Sequence, residues 1–191
     1  LFKTINAQVY ARLSREALVQ RLTSAGNMGA LAAVEELKQR LCFQDGSLQG
    51  VSMAGAQLQQ VRLAKARLPL ADLTGATLRG CYFGDADLSK ARLTKADLSD
   101  GNLRGACMAG ADLTGATLAR AHLARADLRD AVLCAADLRD ANLWSADLRG
   151  ADLRGATLTG ANLHHAQFDD RTRLPDGTPW HVGANVEAYT A

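Results

Sequence analysis

The chain has 191 residues, 48% of them hydrophobic and 22% charged, with a formal net charge of +2. That balance excludes general disorder and a single-signed charged tail, and no run approaches the roughly 18 consecutive apolar residues of a membrane span. Alanine (36) and leucine (30) fill more than a third of the chain while aromatic residues make up only 5%, so the interior must be narrow or repetitive rather than an ordinary mixed core.

In chain order, residues 1–40 read as helical. Ile5, Val9, Leu13, Leu18 and Leu22 follow helical spacing, Gly26-Asn27 interrupts it, and Met28, Leu31, Val34, Leu37 and Leu41 form a second stripe. Asn27 is the expected N-cap of the second helix. The pair is expected to lead into the long segment that begins at Leu41 and to cover its end, with partner docking or oligomerisation as the alternative use.

From Leu41 to Asp170 the chain divides into 26 blocks of five residues without an insertion or deletion. The middle residue is Leu in 21 blocks, Phe in three (Phe43, Phe83, Phe168) and Met in two (Met53, Met108). Two residues earlier stands Ala in 20 of the 26, and directly before the middle residue stands Asp eight times and Asn three times. A period of five smears around a helix and puts alternate blocks on opposite faces of a strand. It fits a chain that turns a corner in every block, with Ala and Leu facing an axis. Four corners close a coil of 20 residues, and stacked coils pair like neighbouring strands about 4.8 Å apart. Asp and Asn are suited to bonding nearby backbone N–H groups in such turns, and Gly is frequent at the fifth position, where positive φ suits it.

Blocks such as Ala71-Asp72-Leu73-Thr74-Gly75 and Ala151-Asp152-Leu153-Arg154-Gly155 resemble those of the pentapeptide-repeat proteins, and the resemblance covers residues 41–170. It implies an all-β solenoid, the family's right-handed quadrilateral β-helix. The 26 blocks would make about 6.5 coils and a rod roughly 30 Å long. The expected organisation is a helical cap at 1–40, the β-helix at 41–170 and a capping tail at 171–191. Leu174-Pro175-Asp176-Gly177-Thr178 reads as a turn, with Trp180 and Val182 folding over the last coil. The C-terminal dimer helix of some relatives has no counterpart, so a monomer or weak dimer is expected.

At 20 residues per coil the outward side chains sort onto four faces. The face that begins with block 41–45 holds Asp45, Arg62, Lys65, Asp85, Arg104 and Arg125, net +2. The next three faces are net −2, 0 and −1. Asp100, Arg120 and Asp140 alternate up one column, and Thr74, Thr94 and Thr114 form another, both suited to cross-strand stabilisation. The first face also carries Tyr82, His122, Trp144, His164 and His165. Trp and Arg are common interface anchors, so Tyr82, Arg104, His122, Arg125, Trp144 and His164 are the candidate partner-binding residues.

Catalytic chemistry is not expected. No nucleophile stands in a motif with its base, no phosphate-binding glycine loop opens a helix, and the Asp spacing is that of the repeat. His122 and His164 fall in different columns, so no metal site is expected, and no cofactor. Cys42, Cys81, Cys107 and Cys134 lack CxxC spacing and are expected to be free thiols of a reducing compartment, hence cytoplasmic. The start at Leu1 leaves room for an upstream segment, and an alternative expectation is that the rod is an appendage of a larger or membrane-attached protein. The functional expectation is a non-enzymatic protein–protein interaction or scaffold module. The resemblance also implies an alternative, since some family members act as DNA mimics that bind DNA gyrase and protect it from quinolones. The near-neutral faces and the uninterrupted blocks speak against that. Net +2 is too little for a strong phosphate footprint, which speaks against direct nucleic-acid binding.

Overall fold

The computed structural model describes residues 13–24 and 26–191. Ile5 and Val9 lie outside the described residues. Helix α1 runs Arg15–Ser24 and helix α2 runs Asn27–Gln39. The Ser14 hydroxyl oxygen accepts from the Ala17 N–H at 3.1 Å and caps α1. Leu18 and Leu22 are buried on α1, and Ala30, Ala33, Val34 and Leu37 on α2. The second stripe therefore holds in its middle and fails at its ends, where Met28 is 84% and Leu41 64% exposed. Leu41 lies past the helix at φ 59°, in the left-handed region, so it no longer continues the helical face. Gly26, extended at φ −60° and ψ 172°, caps α2 without a side-chain bond, and Asn27 is instead the first helical residue.

From Ser52 onward the backbone pairs with itself at a constant offset of 20 residues, from Ser52↔Asp72 through Asp147↔Gln167, always parallel. Each straight segment is so short that the pairing is a series of isolated bridges rather than long strands. The central residue of a block donates its N–H one coil on, as Leu128 does to the Asp147 carbonyl at 2.8 Å. The corner comes at once: the Ala151 N–H donates back to the Leu148 carbonyl at 3.0 Å. At every fifth position from Gly50 to His165 φ is positive, the signature of a type II turn. Ten of these residues are glycine and fourteen are not. Four such corners per 20-residue turn make a quadrilateral β-helix. The buried Ala and Leu columns form one hydrophobic cluster that continues into α1 and α2.

The fourteen side chains in the left-handed region carry a local cost, and Ala135 (φ 55°) shows it most simply because it is exposed. Ala135→Gly is expected to raise stability by about 0.5–1 kcal/mol, the relief at positive φ exceeding the added chain entropy of the unfolded state. A urea melt checks this, and a lowered midpoint contradicts it.

The offset changes at one place. Asp152 pairs with Arg173, 21 residues on, so one extra residue enters between Gln167 and Arg173. The carboxylate of Asp169 absorbs it, accepting the Gly150 N–H at 2.7 Å. Thr172 then occupies the inner corner that Ala holds elsewhere, fully buried, with its hydroxyl donating to the Leu148 carbonyl at 3.0 Å. The coil thus continues one unit beyond residue 170. Leu174 to Thr178 turns back as expected, with Arg173 bridged to Pro179. Trp180 stacks on Phe168 at 5.9 Å, and the Thr190 carbonyl accepts the Gly160 N–H at 2.8 Å, so the tail lies on the last coil. Val182 does not join it and is 89% exposed.

Candidate functional site on the first face

The turns of the helix decide where charge is free. All eight Asp and all three Asn that precede a central residue accept the N–H two residues on. Asp72 takes that of Thr74 at 3.0 Å, Asp152 that of Arg154 at 3.2 Å and Asn142 that of Trp144 at 3.1 Å. The carboxylates then differ from the amides in what they do to a following arginine. Asp127, Asp137, Asp147 and Asp152 each take two donors from the Arg two residues later, with closest distances of 2.6, 2.6, 2.5 and 2.7 Å. The hydrogen bond from Arg154 is the main cause that holds the Asp152 carboxyl at about 2, against the opposing effect of burial. The ion pair thus favours the charged form of both groups.

All eight of these Asp residues lie on the second, third and fourth faces, and all three Asn residues (Asn102, Asn142, Asn162) lie on the first. Ion pairs follow the same division. On the other three faces seven of ten basic repeat residues are paired: Arg79, Arg92, Arg120, Arg129, Arg139, Arg149 and Arg154. On the first face none of Arg62, Lys65, Arg104 and Arg125 has a carboxylate within ion-pair distance among the described residues, and all four are exposed. Among the described residues, no group of three His, Cys, Asp or Glu side chains is placed to hold a metal ion.

The six sequence-selected residues all fall on this face. The Arg125 guanidinium carbon lies 5.1 Å from the centre of the Trp144 ring, within cation–π range. Trp144 is half-buried and meets His165 edge-on at 6.1 Å, and His165 meets His164 at 4.6 Å. His122, Arg104 and Trp144 line one shallow hollow with Asn102, Ala124 and Asn142. Tyr82, Arg104 and Arg125 line an adjoining one with Asn102 and Asp85. Asp85, the acidic residue of this stretch, lies against Gly105, where a Cβ would collide with it. The structure thus brings Arg104, His122, Arg125 and Trp144 together, sets Tyr82 in the neighbouring hollow, and puts His164 beyond Trp144 through His165.

The residues that sequence reasoning passed over are Asn102 and Asn142, which floor both hollows or one of them, and the small Ala124 that leaves room beside Trp144. A signal was present: the three Asn blocks all recur on one face. The expected charge column and threonine column are only partly realised. Arg120 binds Asp100 through two bonds, at 2.7 and 3.0 Å, and shares it with Arg79, while no Arg120 bond to Asp140 forms. Thr94 bonds Asp112 at 3.1 Å rather than its threonine neighbours.

The sequence profile described as pentapeptide repeats matches with 8 copies, over residues 71–110, 97–134, 106–144 and 136–170. No curated protein matches the chain. Among solved structures, a pentapeptide repeat protein from the Arabidopsis thaliana thylakoid lumen is 34% identical, covering 53% of this chain and 70% of that one, with a TM-score of 0.52. A pentapeptide repeat protein from Nostoc is 34% identical over 50% of this chain and 75% of its own, with a TM-score of 0.37. QnrB1, a plasmid-mediated fluoroquinolone resistance protein, is 19% identical over 68% of this chain and 75% of its own, with a TM-score of 0.42. With the 20-residue pairing, the filled Ala–Leu axis and the profile matches spanning 71–170, the chain belongs to the pentapeptide-repeat family.

Proposed function

We propose that this protein is a non-enzymatic interaction module that binds a protein partner through its first face, using Tyr82, Arg104, His122, Arg125, Trp144 and His164. The observation that carries the reading is the contrast in charge pairing. Seven of the eight repeat arginines on the other faces are held by carboxylates, Arg67 being the exception, whereas Arg104 and Arg125 remain unpaired beside a half-buried tryptophan. Desolvated Trp and Arg are the residues on which binding energy concentrates. The stacked coils, held together by a ladder at successive corners, present them with little ordering cost on association. In this reading helices α1 and α2 and the tail from 171 close the two ends of the rod and cover strand edges that would otherwise pair with other chains.

Affinity capture with wild type and with the Trp144→Ala/Arg125→Ala variant tests it. Partners held by wild type are expected to be lost from the variant, and recovery of the same partners at the same yield overturns the assignment. A gyrase supercoiling assay adds a second arm. Micromolar protein is expected to leave supercoiling and its quinolone sensitivity unchanged, because the first face is basic and the block region near neutral. Inhibition or protection would replace the present reading with the gyrase-regulator one.

A further inference from the structure

The chemistry of the first face also defines its partner, an inference that rests on the reading of that face as a docking surface. Where the residue before the central one caps a turn on this face, it is an amide and not a carboxylate, in three of the seven blocks: Asn102 accepts the Arg104 N–H at 3.1 Å, Asn142 that of Trp144 at 3.1 Å and Asn162 that of His164 at 3.0 Å. The capping bond is the same one that Asp makes on the other faces, so the turn itself does not require the amide. What the amide changes is the charge at the surface. It leaves Arg104 without the carboxylate that captures Arg129, Arg139, Arg149 and Arg154 in their own blocks, and it removes acidic residues from the column that an approaching anion would meet. Arg104 is thereby kept available, and Arg62, Lys65 and Arg125 are exposed without a carboxylate partner on the same side, with Tyr82 and Trp144 on that face as well.

We propose that the partner is an acidic, extended polypeptide segment. Its carboxylates are received by Arg62, Lys65, Arg104 and Arg125, and an apolar or aromatic side chain lies against Trp144. The guanidinium fork matches a carboxylate with two parallel bonds, and Trp144 already accepts a cation on its ring from Arg125. The face also sets the length. Arg62 to His164 spans five coil steps, roughly 24 Å at 4.8 Å each, which an extended chain at about 3.4 Å per residue crosses in about seven residues. The cations lie in the blocks of 61–65, 101–105 and 121–125 and Trp144 in the next, so the acidic part of the segment sits toward the helical end and the apolar part toward the tail. A nucleic acid suits the face less. Four cations with Asp85 among them make a weak footprint for a continuous phosphate backbone.

The test uses fluorescence polarisation of the whole protein with a fluorescein-labelled oligoglutamate peptide carrying one phenylalanine. An oligoserine peptide of equal length and oligothymidine of equal charge serve as comparisons. The deciding variant is Asn102→Asp/Asn142→Asp, in which the capping bonds persist and Arg104 gains a carboxylate in its own block. Oligoglutamate is expected to bind wild type, and the variant to weaken it about tenfold or more with an unchanged melting temperature. Lys95→Ala, which removes an exposed lysine of another face, is expected to leave binding unaltered. Absence of oligoglutamate binding, equal binding by the Asn102→Asp/Asn142→Asp variant, equal loss in Lys95→Ala, or tighter binding of oligothymidine each overturns the acidic-segment proposal. The two readings separate in the capture experiment. If Trp144→Ala/Arg125→Ala loses the partner and Asn102→Asp/Asn142→Asp retains it, the face stands as a docking surface and the acidic partner is refuted. If both variants retain it, both readings fall.

Discussion

Replacing Leu128 with alanine is expected to destabilise the protein by about 2–5 kcal/mol, the range for removing a large aliphatic side chain from a site that relaxes incompletely. Leu128 is fully buried, and the central residues one coil before and after it, Met108 and Leu148, are fully buried too. Little can move into the gap. The inner corners carry only alanine methyl groups, and the backbone of each neighbouring coil is held by ladder bonds such as Met108 N–H to Asp127 carbonyl at 2.7 Å. The damage should also be local, because each coil of a solenoid touches only its neighbours. Hydrogen exchange is expected to accelerate at the ladder amides of Met108, Leu128 and Leu148 before those of Leu73 and Leu78. Chemical denaturation measures the total, and a loss under about 1 kcal/mol or a uniform rise in exchange would contradict the account.

A smaller substitution reports on the axis from the opposite side. Gly101 stands where most blocks have Ala, and its φ is not positive, so backbone freedom is not the reason for it. A Cβ there would meet the Leu98 carbonyl oxygen at 2.8 Å and the Cys81 sulfur at 2.9 Å. Cys81 occupies the same corner one coil earlier and is itself larger than Ala. The two residues therefore share one volume. Burial pushes the Cys81 thiol up to about 12, so it remains a neutral packing group. Gly101→Ala is expected to cost about 1–3 kcal/mol by overpacking. Cys81→Ala/Gly101→Ala should recover part of that loss, with an interaction energy of about 0.5–3 kcal/mol in the double-mutant cycle. Strict additivity would refute the shared volume.

Much of this protein's fold is legible in its sequence. The five-residue period required a corner in each block, and the structure places the predicted inner Ala and central Leu residues in the buried columns of a 20-residue coil, except that Leu163 and Ala166 of the last coil are only partly buried. The assignment of Asp and Asn to turn capping holds at all eleven positions because the bond is made within a block and needs no distant partner. The helical stripe was less secure at its ends. Met28 and Leu41 fit the periodicity, yet periodicity does not say which turn of a helix is the last to meet a neighbour. Val182 was misread for a related reason: the tail has no period, and only Trp180 finds a ring, that of Phe168, to lie against.

The chain's own sequence determined the coil, the inward columns and the face to which each outward residue belongs, because a strict period of five turns residue number directly into position. It even held the distribution of Asn and Asp among the faces. Only the tertiary structure decided which of those charges are spent. Arg120 chose Asp100 over Asp140, and Arg154 closed on Asp152, while Arg104 and Arg125 stayed unpaired. That outcome depends on side-chain reach between coils and on the geometry of each turn, which a one-dimensional period does not contain. The same holds for the pairing of Cys81 with Gly101 and for the extra residue absorbed by Asp169. Both are matters of volume and hydrogen-bond geometry between residues about twenty positions apart, settled only when the coils stack.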